Sequence, residues 1–323
     1  MVEIQGNMPP DPQKADAEKD AAVKKSLDKI KNKIIVMSGK GGVGKTSTSV
    51  NLSIALAGSG YQVGIMDVDL HGPDVPRMLG INGMPELTQD QKLRPLRYSN
   101  NLSAISIESF TPGKDDAIIW RGPLKYAAIR QFIGDVDWGD LDFLVIDSPP
   151  GTGDEPLTVA QMISDAKAII VTTPQEVALA DVRKSINFCK TVRMDIFGLI
   201  ENMSGLNCPH CGEPIDLFGA GGGERTAEEM GVRFLGRIPF DPNVVACGDS
   251  GACYQEVTFT RQSPKPSPMS LKWFPNPYSF RLTQFFSIAS SSKFFFVKNQ
   301  MVQDSRNLQY ISGSRQSIQS WHM

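Results

Sequence analysis

The stretch Ser38-Gly39-Lys40-Gly41-Gly42-Val43-Gly44-Lys45-Thr46 decides the fold. From Gly39 onward it satisfies the spacing G-x-x-x-x-G-K-S/T of a phosphate-binding loop, and it stands between an apolar run, IIVMS, and a helical stretch, TSTSVNLSIALAG. Glycines let the backbone turn so that successive N–H groups point at phosphate oxygens, and the following helix brings its positive end to the same place. Lys45 is expected to contact the β- and γ-phosphates and Thr46 to ligate Mg2+, with Gly39, Lys40, Gly41, Gly42, Val43, Gly44 and Ser47 completing the cradle. The loop needs one lysine and has two: the Lys40 side chain leaves the turn pointing away from the nucleotide that its own backbone cradles.

Outward from the loop, β-rich runs alternate with helical stretches: KIIVMS (33–38), YQVGIMD (61–67), LSAISI (102–107), DFLVID (142–147), AIIVTT (168–173), IFGLIEN (196–202) and RFLGRIP (233–239). Continuous apolar strands separated by helices imply a doubly wound α/β fold, a mostly parallel sheet with helices on both faces. The expected organisation is a polar, disordered leader at 1–30 that runs into a short helix, a P-loop domain at 31–251 and a tail at 252–323. That tail is rich in Ser and Phe, mostly basic, and keeps no period of 2 or 3.6, so it is expected to be poorly structured or foreign to the domain. A segment for a membrane or a partner is the alternative reading of it.

Two strands end in acids. Asp67 and Asp69 follow YQVGIM, and alternation along an extended segment puts both carboxylates on one side. Asp147 ends DFLVID and opens SPPGTGDEP, which reads as a magnesium-binding aspartate and a γ-phosphate-sensing loop reaching Asp154. Open α/β sheets bind ligands at the carboxyl ends of their strands, so Asp67 and Asp147 are expected to hold Mg2+, directly or through water. Asn202, after IFGLIE, has an amide suited to adenine.

The chain of 323 residues is 41% hydrophobic and 21% charged, with a formal net charge of −2, so its overall balance suggests neither nucleic acid nor an acidic membrane as the main partner. No apolar run reaches the roughly 18 residues of a membrane span. The first residues lack the apolar core of a signal peptide, and a cytoplasmic protein is expected. Five cysteines, an odd number, turn attention from disulfides to metal or redox chemistry. Cys208-Pro209-His210-Cys211 is the C-x-x-C, and two thiolates cover only half of the four ligands that a closed site takes. A second copy of the chain across a twofold axis would supply the rest, for a bridging iron–sulfur cluster or zinc. A zinc turn and a redox dithiol have the same spacing, and His210 reads as a loop residue rather than a ligand.

The order SGKGGVGKT, MDVDLHGPDVPRMLG, WRGPLK, VIDSPPGTGD, TTPQEVALADVRK, ENMSG, CPHCG and GRIPFDP resembles the Mrp/ApbC branch of the MinD/ParA-like deviant Walker A ATPases, over about residues 30–250. That resemblance implies a nucleotide-sandwich homodimer in which Lys40 reaches the partner's phosphates and Asp69 orients the attacking water. It implies an ATP-dependent carrier of a labile 4Fe–4S cluster, bound at the dimer interface through Cys208 and Cys211 and passed to apo iron–sulfur proteins. It also places Asn202, with Pro239 and Asp241 of the PFD segment, beside adenine. The tail departs from the family's ending, and the leader lacks the four-cysteine motif of eukaryotic scaffold relatives, which implies one cluster site per dimer. Two alternatives stand beside this reading: a MinD/ParA-like positioning ATPase with structural zinc, and a nitrogenase-like ATP-dependent electron-transfer protein.

Overall fold

A computed structural model describes residues 12–69, 72–110, 122–208 and 210–251. The elements in chain order are α1 (Pro12–Leu27), β1 (Ile30–Ser38), α2 (Lys45–Gly58), β2 (Val63–Asp67), α3 (Val75–Leu79), β3 (Glu86–Leu87), β4 (Leu93–Arg94), β5 (Leu96–Arg97) and β6 (Leu102–Ser106). A 3-10 turn, Ile107–Phe110, follows, then α4 (Gly122–Gly134), β7 (Leu141–Asp147), α5 (Asp154–Met162), β8 (Lys167–Thr172), α6 (Glu176–Thr191) and β9 (Asp195–Asn202). The last elements are β10 (Leu206–Asn207), β11 (Pro214–Ile215), α7 (Gly222–Met230), β12 (Phe234–Ile238) and α8 (Pro242–Ser250).

The main sheet has the order β12-β9-β8-β1-β7-β2-β6-β5. Each of the apolar runs read from the sequence is a strand in it, and all pair in parallel; only the added edge strand β5 runs antiparallel, against β6. Strand β1 lies between β7 and β8, and the chain crosses from one side of it to the other, so the crevice of this α/β sheet opens at the carboxyl end of β1, beside the glycine loop.

Both faces of the central strands are buried. Ile35, Met37, Met66, Leu144, Ile146 and Ile170 belong to one apolar cluster with Ile129 and Phe132 of α4, Val159 of α5, and Val182 and Ile186 of α6. Their alternates Ile34, Val36, Ile65, Val145, Ile169 and Val171 are equally buried, and α2 packs on β1, β2 and β7. Continuous apolar strands are the sequence record of that two-sided cover.

The amino-terminal boundary differs from expectation. Helix α1 spans Pro12–Leu27, and β1 begins at Ile30. Much of the leader read as disordered is therefore helix. Val23 and Leu27, spaced i and i+4, are buried, and α1 packs on α4, where Arg130 Nη2 donates to Asp20 at 2.7 Å. Residues 1–11 and the tail at 252–323 lie outside the described residues.

Candidate functional site

The loop between β1 and α2 is shaped by its glycines. Gly42 and Gly44 have φ of 76° and 81°, the left-handed region that L side chains rarely adopt. Gly39 lies so close to the backbone of Asp181 and Val182 on α6 that a Cβ would overlap it. The Lys40 carbonyl accepts from Ser38 Oγ at 2.9 Å, which fixes the turn. The Lys40 side chain is half-buried, and its ammonium makes no hydrogen bond or ion pair among the described residues. Ser47 continues the first turn of α2, its carbonyl accepting from Asn51 Nδ2 at 2.8 Å.

Asp147 gathers the functional groups of the loop. Its carboxylate accepts from Lys45 Nζ at 3.0 Å, Thr46 Oγ1 at 2.8 Å and Ser49 Oγ at 2.7 Å. Asp67, paired in register with Asp147, is fully buried and accepts from Asp69 N at 3.0 Å, Ser106 Oγ at 3.2 Å and Val75 N at 3.3 Å. Burial, then the charge of Asp147, pushes the Asp67 carboxyl well above the usual carboxylate range against the pull of Lys45. Asp69 Oδ2 lies 3.9 Å from Lys45 Nζ, so Asp69 and Asp147 both face this lysine, and Asp67 feels its charge. The loop after β7 docks back on β1 through Gly151 N, which donates to Ser38 O at 2.8 Å. Beyond it, Asp154 is exposed at the first position of α5.

The hydroxyl of Thr46 and the carboxylates of Asp147 and Asp67 form a set of hard oxygen donors, and a buried carboxyl held above its usual range is relieved by a divalent cation. The set fits Mg2+.

The residues expected to meet the base have structural partners. Asn202 Nδ2 donates to the Val43 carbonyl at 2.9 Å, so this amide holds the phosphate loop from the end of β9. Asp241 caps α8, its Oδ1 accepting from Asn243 N at 2.9 Å, and Pro239 immediately precedes Phe240, whose N–H donates to Gly205 O at 2.8 Å. Next to Asn202 stands a residue with no place in the sequence reading. Glu201, fully buried, accepts from Ser204 Oγ, from Gly221 N at 2.9 Å and from Gly223 N, with Arg237 Nε 3.5 Å away. Its partners lie up to 36 residues along the chain, between Glu201 and Arg237, and no local spacing marks it. Another pair missed is Lys125 Nζ with Glu155 Oε1 at 2.7 Å, which joins α4 to the start of α5.

Cys208 and Cys211 stand on a hairpin turn between β10 and β11. Cys208 N donates to Glu213 O at 2.8 Å, and Gly212, at φ 78°, donates to Cys208 O at 2.9 Å. Cys208 is half-buried, Cys211 exposed, and both thiols are free. Backbone N–H groups of Cys211 and His210, with the Cys211 thiol, hold the Cys208 thiol below its usual range, toward the thiolate that binds metal. Among the described residues no group of three or more His, Cys, Asp or Glu is placed to hold a metal ion. The turn presents two free thiols.

A family model described as ParA: NUBPL iron-transfer P-loop NTPase matches residues 29–268. The iron-sulfur cluster carrier protein of Methanocaldococcus jannaschii is 48% identical over 246 residues, 76% of this chain and 85% of that one. The cytosolic Fe-S cluster assembly factor NUBP2 homolog of Dictyostelium discoideum is 44% identical over 260 residues, 79% of this chain and 97% of that one. Among solved structures, a nucleotide-binding protein in complex with ADP from Archaeoglobus fulgidus superposes with a TM-score of 0.65 at 36% identity, covering 79% of this chain and 97% of that one. With its parallel sheet, phosphate loop and matched residues, the chain belongs to the NUBPL iron-transfer P-loop NTPases of the ParA group.

Proposed function

We propose that this chain is a cytoplasmic, ATP-dependent iron–sulfur cluster carrier that holds a labile 4Fe–4S cluster between two copies of itself and passes it to apo iron–sulfur proteins. One observation carries the reading: a phosphate loop and a pair of free thiols stand on the same P-loop domain, and among the described residues no further ligand of the kind a closed site takes is placed beside the pair. The carrier and assembly-factor names of the relatives support it.

The residues divide the work. Lys45 exchanges Asp147 for the β- and γ-phosphates when ATP enters, and the backbone of Gly39–Thr46 wraps the phosphate oxygens. Thr46, Asp67 and Asp147 would hold Mg2+, directly or through water, and the ion would neutralise phosphate charge. Asp69, already beside Lys45, orients the attacking water. Lys40, with no partner among the described residues of its own chain, serves the phosphates of the other copy. Asn202 Oδ1, Pro239 and Asp241 line the base. A cluster bridged by two chains leaves when their interface loosens, which makes the cargo transferable.

Anaerobic reconstitution with iron and sulfide tests the assignment. Cys208→Ala and Cys211→Ala should each lose the cluster absorbance while ATP binding persists. A full cluster in either variant, or stoichiometric zinc without sulfide in the wild-type protein, would overturn it.

A further inference from the structure

We infer that the consecutive residues Glu201 and Asn202 form the mechanical link between the nucleotide loop and the cysteine hairpin, with Glu201 the positioning residue for Cys208 and Cys211. The inference rests on the carrier reading for its purpose, not for its geometry.

Successive side chains of a strand point to opposite faces. At the carboxyl end of β9 this sends the Asn202 amide to the Val43 carbonyl of the phosphate loop and the Glu201 carboxylate to the segment that carries the cysteines. Glu201 holds that segment at both ends. Ser204 Oγ fastens its start; Gly221 N and Gly223 N, at the amino end of α7, fasten its finish. A Cβ on Gly223 would press on the Glu201 side chain at 3.0 Å, so glycine is what lets the helix reach the carboxylate. The cysteine hairpin hangs between these two clamps. Its start is also gripped by the end of β12 and the residues just after it, through Ser204 N to Ile238 O at 2.9 Å and Phe240 N to Gly205 O at 2.8 Å.

Between the link and the hairpin stands Met203, at φ 55°, a left-handed conformation that residues with a side chain rarely adopt. Strand β9 itself is held on both sides by β8 and β12, so its end moves as a unit rather than bending. A displacement of Val43 by an incoming nucleotide is therefore passed to Asn202, and the neighbouring Glu201 carries it to both ends of the hairpin. Coupling of this kind is reciprocal: whatever the nucleotide does to the hairpin, cargo on the hairpin does to nucleotide affinity.

The test uses the full chain without cluster and reads amide hydrogen exchange with and without Mg-ADP. In the wild-type protein, peptides covering 39–46 and 206–215 should both exchange more slowly with nucleotide, the latter by about fivefold or more, the lower end of ordinary coupling. In Glu201→Gln, whose amide cannot accept from every donor now on the carboxylate, 39–46 should still slow and 206–215 should not respond. Ser204→Ala removes one clamp alone and should lose part of the response, which keeps the test decisive if Glu201→Gln unfolds. A hairpin response of full size in either variant, or a wild-type protein in which 39–46 slows and 206–215 does not, would overturn the link. Failure of the carrier reading is separate, since it appears as absent iron and sulfide on reconstitution.

Discussion

Asp67 and Asp147 are paired Cα to Cα in register on the neighbouring parallel strands β2 and β7, both without exposed surface. Lys45 lies 3.0 Å from Asp147, and Asp67 is left with its burial and a like charge beside it. Its folded carboxyl therefore titrates above its unfolded range, and the sign follows. The contribution of Asp67 to stability is complete below about pH 4, where the unfolded carboxyl also takes up its proton, and is lost as pH rises through the raised folded value. At neutral pH the nucleotide-free protein carries this cost. Asp67→Asn should flatten the pH dependence above pH 4, and because its amide nitrogen cannot accept from Ser106 Oγ and Val75 N as Oδ2 does, it should have a lower melting temperature than the wild type at low pH, where no charge is left to relieve. The same variant should lose stabilisation by Mg-nucleotide. Thermal unfolding over a pH series decides, and an unchanged slope would count against the carboxylate pair as the cause.

Gly39 faces the backbone of Asp181 and Val182, where nothing flexible can yield. Gly39→Ala should therefore separate β1 from α6 at the loop, destabilising the fold by about 1–3 kcal/mol as an overpacked site does. Nucleotide affinity should fall with it, because the displaced backbone is the one that meets phosphate. Denaturant unfolding and nucleotide titration would each register the change; wild-type values in both would show that the loop has room the structure does not give it.

The phosphate loop was legible because its chemistry is contiguous: eight neighbouring residues, Gly39 to Thr46, supply cradle, cation and hydroxyl. The parallel strands were legible because two-sided burial leaves unbroken apolar runs. Glu201 was not, since a carboxylate whose partners are Ser204, Gly221, Gly223 and Arg237 acts through contacts that no period records. Asn202 was read as a base-binding amide and turns out to have its Nδ2 on Val43, because only the fold brings β9 beside the loop. Asp241 could have been read: an Asp before Pro242 is a helix start, with the acid at the cap and proline in the first turn. The antiparallel edge strand β5, two residues long, has no pattern to find.

Cys189 and Cys208 should separate cleanly by reactivity. Cys189 is buried against Met37 Sδ at 3.8 Å, and burial pushes its thiol up to about 11, whereas Cys208 stands below the usual thiol range on an exposed turn. Brief alkylation of the folded, cluster-free protein near neutral pH should modify Cys208 and leave Cys189 intact, because the thiolate is the nucleophile. Peptide mass analysis reads the outcome. Equal labelling of both would mean that the core around α6 opens as readily as the hairpin.

Lys40 gives the sharpest test of the second copy. Its backbone carbonyl is engaged by Ser38, while its ammonium has no partner among the described residues, so Lys40→Ala removes a charge without breaking a hydrogen bond or ion pair among them. The fold and the affinity for one nucleotide should then be preserved, since Lys45 and the loop amides are untouched. Hydrolysis should fall by about 10³-fold or more if the lysine neutralises transition-state charge across the interface, as cations supplied in trans do. Mixing Lys40→Ala with a variant that cannot bind nucleotide gives the decisive control. In a mixed dimer the only occupied site then faces an intact Lys40 from the other copy, and part of the activity should return. No recovery in the mixture would place the lysine's effect within its own chain.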